Sequence, residues 1–294
     1  MVVTGLCNVT YLFRFEFDEN AELRNMGKLM GFLQIIRPLN CLMMGFAVIV
    51  GASLVSSLSF TMNPLTAASM VINDFYDRKI DAINEPNRPI PRGDVSPKES
   101  LFFALVLSLI AFTAAFETNS PSLVVAVIAW IISITYITKG KGTGLPGNFL
   151  VSTTVVIPFV YGGLTVGQLE TSTLLFVAIV FLSNTGREIT KGIVDVEGDR
   201  SHNIKTIAVT HGERSAATVA AVFSFLAVSL SPLPWMLGIV SDWFLPPVIL
   251  TDLGLIISSF MLLRDYSRTN AKKIKTLSLV WFVTGLLSFI LGTL

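Results

Sequence analysis

The feature that most limits what this chain can fold into is a succession of long apolar stretches, separated by short segments that collect nearly all of its charge. At roughly 20 residues per bilayer crossing, these stretches read as spans at 39–59, 63–80, 100–116, 122–138, 147–166, 171–189, 215–237, 244–263 and 274–293. The second is short of apolar residues, and charge decides whether to keep it. With the N-terminus in the cytosol, nine spans put all 21 Lys and Arg on the cytosolic side. Deleting the second would swap the side of every later loop and scatter the positive charges. The outer loops then carry only Glu117, Glu170 and Asp242.

Composition agrees: 52% of the 294 residues are hydrophobic, 14% are charged, and the mean hydropathy is +0.69, too apolar for a soluble domain. A net charge of +1 predicts no nucleic-acid partner. Two cysteines, Cys7 and Cys41, make no disulfide framework or Cys-rich metal site. Residues 1–24 lack the basic start and small-residue cleavage site of a secretory signal, and 25–36 carry apolar residues at helical spacing. The expectation is therefore an all-α, multi-pass cell-membrane protein. Residues 1–38 form a cytosolic tail and interfacial helix, and 39–294 a single domain of nine transmembrane helices around a central cavity, with a cytosolic Asp-rich cap. Oligomeric state is left open.

Against this apolar background, residues 73–93 (NDFYDRKIDAINEPNRPIPRG) hold a dense cluster of carboxylates, basic residues and prolines. Asn73, Asp77 and Asp81 are spaced i, i+4, i+8, and Asp74 stands i, i+3 from Asp77, so a helix presents them on one broad face. Like charges at that spacing repel unless something cationic lies between them. Asp195 and Asp199 repeat the i, i+4 pair after Lys191. The two clusters follow the second and sixth spans and so open on the same face, which points to a shared divalent-cation site built from Asp74, Asp77, Asp81, Asp195 and Asp199.

The pattern N-D-x-x-D-x-x-x-D, then N-x-x-x-R-P-x-x-x-G, with a later D-x-x-x-D in a loop containing Gly198-Asp199, resembles the UbiA-type intramembrane prenyltransferases over nearly the whole chain. Within them it is most similar to the archaeal digeranylgeranylglyceryl phosphate synthases, through Arg187-Glu188-Ile189-x-Lys191 and the stretch from Lys141 to Gly147-Asn148. The short second span, His202 and Ala208 depart from the family pattern. The resemblance implies transfer of a prenyl group from an allylic diphosphate to an acceptor. The first choice of acceptor is geranylgeranylglyceryl phosphate, for ether-lipid synthesis. The second is an aromatic quinone precursor of the 4-hydroxybenzoate or naphthoate type.

Elementary chemistry runs the same way. Mg2+ takes one or two carboxylates and fills its shell with phosphate oxygens, so two facing pairs suit two ions around one diphosphate. Asp77, Asp81, Asp195, Asp199 and Lys141 form the expected catalytic set. Asn73, Arg88, Lys191, Arg37, Tyr136 and Asn148 form the expected substrate-binding set, with Lys141, Arg88 and Lys191 clamping the leaving group and Arg37 holding an acceptor phosphate or carboxylate in a fork. Blander readings stand beside these: Arg37 and Arg92 as orientation-setting cations, Asn148 as a helix N-terminal residue, Asp252 as a local hydrogen-bonding group, and Glu188 and Glu197 as solvated or supporting carboxylates. His202 and His211 lack metal-ligand spacing. A cation or proton transporter would also place carboxylates between helices, but it needs ionisable residues leading to both faces, and the outer half is nearly free of charge.

Overall fold

The computed structural model describes residues 19–53, 64–166 and 169–294, and over these the chain is helical without a strand. The first 18 residues of the expected tail lie outside the described residues, as do 54–63, which take in the end of the first expected span, the connection and the first residue of the second. In chain order the helices are α1 (Glu19–Ile35), α2 (Pro38–Ser53), α3 (Pro64–Asn84), α4 (Pro89–Arg92), α5 (Pro97–Thr118), α6 (Ser120–Thr138), α7 (Leu145–Thr165) and α8 (Thr171–Val194). There follow α9 (Val196–Ser201), α10 (Ile207–His211), α11 (Glu213–Leu230), α12 (Leu233–Met236), α13 (Leu245–Arg264) and α14 (Arg268–Gly292).

Local chemistry sets several of these boundaries. At α5, Ser96 and Glu99 form a reciprocal capping box ahead of Pro97, which needs no amide partner in the first turn. Asn119 ends α5 and accepts from the Ser122 amide to start α6, so two helices turn sharply on one residue. Ser267 does the same for α14.

Among the described residues, six helical segments are long and apolar enough to cross a membrane unaided: Pro97–Thr118, Ser120–Thr138, Leu145–Thr165, Glu213–Met236, Asp242–Arg264 and Arg268–Gly292. A seventh results if Gly27–Ile35 and Asn40–Gly51, bent by 41° at Arg37–Pro38, act as one broken span. The helices at the remaining expected spans, α3 and α8, fall outside this set for a shared reason. Each is a continuous helix, of 21 and 24 residues, whose last turns carry charge: Asp74, Asp77, Arg78, Lys79 and Asp81 on α3, and Arg187, Glu188 and Lys191 on α8. Both run past the expected ends at 80 and 189. The interfacial helix also starts earlier than expected, at Glu19.

The helices pack as two groups. α2 lies against α7 and α3, α3 against α5 and α6, and α6 against α7; α8 lies against α11 and α14, and α13 between α11 and α14. α7 on α8 and α14 on α2 join the groups. α2 approaches α7 so closely that a Cβ at Gly51 would collide with the Phe159 backbone. At the end of the bundle away from the Asp-bearing loops, Phe159, Phe176, Phe244 and Phe289 form a buried aromatic cluster, with Phe176 and Phe289 centroids 4.0 Å apart. Above this floor lies a cavity of about 90 Å³ between the two groups, lined by apolar side chains from α2, α7, α8, α11, α13 and α14. Phe102, Leu105, Phe116, Ile131 and Phe260 stay exposed around the circumference, a belt suited to lipid.

Candidate active site

On α3, Asp74, Asp77 and Asp81 all turn inward, with only 4%, 8% and 6% of their surface exposed. Buried carboxylates need cations or donors, and each has them. Asp74 Oδ1 accepts from Arg37 Nη2 at 2.5 Å and from Arg88 Nη1 at 3.2 Å. Asp81 Oδ2 accepts from Arg88 Nη1 at 2.8 Å. Asp77 Oδ2 accepts from Asn73 Nδ2 at 3.0 Å and pairs closely with Lys141 Nζ. Three carboxylates thus meet three cations, drawn from the α1–α2 junction, the turn before α4, and the loop between α6 and α7.

Backbone geometry aims two of those cations. Arg37 has a φ of +50°, a left-handed conformation that is uncommon for a residue with a Cβ, and the bend it makes turns its guanidinium onto Asp74. Lys141 sits in a 3-10 turn, Gly140–Gly142, held against the loop before α10 by a hydrogen bond from Lys205 N to Gly142 O at 3.2 Å. Gly144 completes the docking. Its φ is +70°, and a Cβ there would lie 2.5 Å from Lys205 O.

This docking brings the second cluster to the first. Asp199 lies within electrostatic reach of Lys141, the partner of Asp77, and of Lys191 and Asp195, and its carboxylate accepts a hydrogen bond from Thr206. Its pKa is pushed up to about 6, above the ordinary carboxylate range, first by burial and then by Asp195, against the opposing pull of Lys141, Thr206 and Lys191. Tyr136, near the end of α6, lies in the combined field of Glu188, Asp77 and Asp199. The structure therefore gathers Asn73, Asp74, Asp77, Asp81, Arg37, Arg88, Lys141, Tyr136, Lys191 and Asp199 at one end of the bundle.

Two expected residues stand differently. Asp195 is exposed at the break between α8 and α9, so its pair with Asp199 is a turn around a helix end and not one face of a continuous helix. Asn148 occupies the first turn of α7, half-buried, with its backbone N–H donating to Gly144 O. Glu188 is more central than its sequence context implies. It is 8% exposed and accepts from Lys191 Nζ at 2.7 Å and Arg187 Nη1 at 3.2 Å. Its i, i+3 spacing from Lys191 was the available signal. Asp252 forms a local hydrogen bond with Ser231 at 2.6 Å on the cavity wall.

The donor set is all oxygen, suited to a hard divalent cation. Among the described residues no three His, Cys, Asp or Glu side chains converge on one point. The inward carboxylates of Asp77 and Asp199, with Lys141 between them, suit an ion that takes one or two carboxylates and completes its shell with phosphate oxygens of a ligand.

Residues 39–286 match the UbiA prenyltransferase family. The chain belongs to that family. It is 35% identical over 274 residues to the digeranylgeranylglyceryl phosphate synthase of Pyrococcus furiosus, covering 90% of this chain and 97% of that one. Among solved structures, one described as concerning digeranylgeranylglyceryl phosphate synthase in membranes superposes with a TM-score of 0.74 at 29% identity, over 90% of this chain and 98% of the other. A UbiA homolog from Archaeoglobus fulgidus bound to DMAPP and Mg2+ shares the fold, with a TM-score of 0.64 at 18% identity over 88% of this chain and 99% of the other. As a UbiA-family prenyltransferase, the chain is a multi-pass membrane enzyme.

Proposed function

We propose that this prenyltransferase moves a geranylgeranyl-type group from its allylic diphosphate to geranylgeranylglyceryl phosphate, forming an ether lipid and releasing diphosphate. One observation carries the reading: Lys141 pairs with Asp77 of the first Asp cluster and lies in the field of Asp199 of the second. Two motifs far apart in sequence thus meet through Lys141 at one end of the bundle. The likeness to the Pyrococcus furiosus synthase supports the acceptor.

In this reading Asp74, Asp77, Asp81, Asp195 and Asp199 hold Mg2+, which neutralises the departing diphosphate when bound. Lys141, Arg88 and Lys191 turn from their carboxylates toward the phosphate oxygens and stabilise charge as it grows on the leaving group. The acceptor hydroxyl oxygen forms the new bond to the allylic carbon as the carbon–oxygen bond to diphosphate breaks, and the hydroxyl proton is released. The apolar lining below excludes water from the electron-poor carbon. All nine expected spans cross the bilayer, with α2, α3 and α8 joining the six self-sufficient segments. The N-terminus and the Asp-rich mouth both face the cytosol in this reading, which the charge asymmetry supports.

Purified protein incubated with Mg2+, geranylgeranyl diphosphate and geranylgeranylglyceryl phosphate is expected to yield the diether phosphate by mass. An absence of that product, with turnover of an aromatic acceptor instead, would overturn the acceptor assignment.

A further inference from the structure

α8 runs from the aromatic floor to the polar mouth. Phe176 lies in the floor, Ile179, Val180 and Ser183 line the cavity, and Lys191 stands beside Asp199. At 100° per residue, Arg187 falls on the cavity-lining stripe, between the directions of Ser183 and Val180 and one turn nearer the mouth. Helical side chains lean back toward the N-terminus of their helix, which on α8 is toward the cavity. Arg187 therefore stands at the level where the apolar space ends and the Asp-lined space begins.

Its environment is incomplete for a guanidinium. The side chain is 17% exposed, its hydrogen bond to Glu188 is long at 3.2 Å, and Glu188 is shared with Lys191 at 2.7 Å. Arg187 Nε is buried with no hydrogen-bond partner among the described residues. Two cations share the Glu188 carboxylate and the Arg187 Nε donor is unused, and a buried donor without a partner is costly. By contrast, Arg37 pairs with Asp74, and Arg88 with both Asp74 and Asp81.

We infer that Arg187 is the acceptor-recognising residue of this enzyme, binding the phosphomonoester of the glyceryl-ether acceptor through its guanidinium fork, Nε included. This deepens the acceptor reading above and rests on it. A phosphomonoester supplies several acceptor oxygens to a planar fork. Held at this level of α8, its glycerol hydroxyl lies between the cavity, where the allylic carbon enters, and the carboxylates that hold the leaving group.

The test is a double-mutant cycle between Arg187 and the acceptor phosphate, using geranylgeranylglyceryl phosphate and its dephosphorylated alcohol as acceptors, with wild type and Arg187→Gln. Wild type should prefer the phosphorylated acceptor strongly. In Arg187→Gln the preference should collapse, with its KM raised at least tenfold, the KM for the alcohol unchanged, and affinity for geranylgeranyl diphosphate with Mg2+ within twofold of wild type. A variant that keeps the preference overturns the inference. So does one that keeps the preference and loses diphosphate affinity, which would place Arg187 on the leaving group. If the Gln variant does not fold, Arg187→Lys carries the same comparison: a several-fold rise in KM for the phosphorylated acceptor alone supports the fork, and two unchanged KM values overturn it. A wild type that uses neither acceptor overturns the acceptor reading, and Arg187's role with it.

Discussion

Replacing Lys141 by Met keeps the aliphatic stem and deletes the charge that joins the two Asp clusters. Asp77 is 8% exposed, and without Lys141 it retains only the 3.0 Å hydrogen bond from Asn73. Removing one partner of a fully buried ion pair costs about 3–5 kcal/mol. Because a third of the Lys141 side chain is exposed, solvent screens part of that, and the expected loss in metal-free protein is about 1–2 kcal/mol. Saturating Mg2+ and diphosphate should erase this deficit, since the divalent cation replaces the lysine as the counter-charge of Asp77. Activity should not recover. Loss of one preorganised donor to a leaving group typically lowers kcat by about 10²–10³-fold, with the allylic diphosphate as substrate and lipid acceptor in excess. Thermal melting followed by fluorescence, with and without Mg2+ and diphosphate, together with steady-state turnover, measures both. The reasoning is refuted if the stability deficit is the same in the presence and absence of Mg2+ and diphosphate, or if turnover stays within a fewfold of wild type.

Asp77→Ala combined with Asp199→Ala should abolish turnover while leaving helical content by circular dichroism unchanged; measurable product from the folded double variant would remove these residues from the metal site. The raised pKa of Asp199, about 6, gives a pH prediction with a definite sign. Metal binding needs the carboxylate ionised, so Mg2+ affinity in calorimetric titration should weaken as pH falls below about 6. The metal-free protein should behave oppositely, because a buried acid with a raised pKa destabilises the fold when ionised and ceases to do so as pH drops from about 6 toward 4. Asp199→Asn should flatten both trends. Gly144→Ala should cost about 1–3 kcal/mol, since it forces a side chain into a glycine-only conformation against Lys205 O. By displacing the Lys141 turn it should also lower activity more than stability, read by turnover at temperatures well under the melting point.

Hydrophobic runs and the distribution of lysine and arginine made the helical membrane architecture legible from sequence, because the bilayer imposes length and charge asymmetry directly on the chain. The inward face of Asp74, Asp77 and Asp81 was legible too, since helical spacing alone places them together. Hidden were contacts that depend on how distant segments dock. No local pattern says that Lys141 reaches Asp77, because that pair depends on the Gly142–Lys205 hydrogen bond and on the backbone freedom of Gly144. α8 runs five residues past the expected end at 189, where Lys191 and the Asp195 cluster look like a loop. The helix continues because Glu188 pairs with both Arg187 and Lys191 along its own surface. The exposure of Asp195 follows from the break at that residue, where a short turn begins with no apolar periodicity to announce it.

From Phe176 in the aromatic floor to Ser183 on the cavity wall, α8 rises only about 10 Å at 1.5 Å per residue. The space there, about 90 Å³, is below the roughly 300 Å³ of even a small ligand pocket. A geranylgeranyl chain needs more room than this, so part of it is expected to run out between helices among the lipid acyl chains. The surrounding bilayer then acts as a cosubstrate reservoir and as one wall of the binding site. Chain-length preference becomes a property of protein and membrane together, and it should shift with acyl-chain length when the same enzyme is moved from thin to thick nanodiscs.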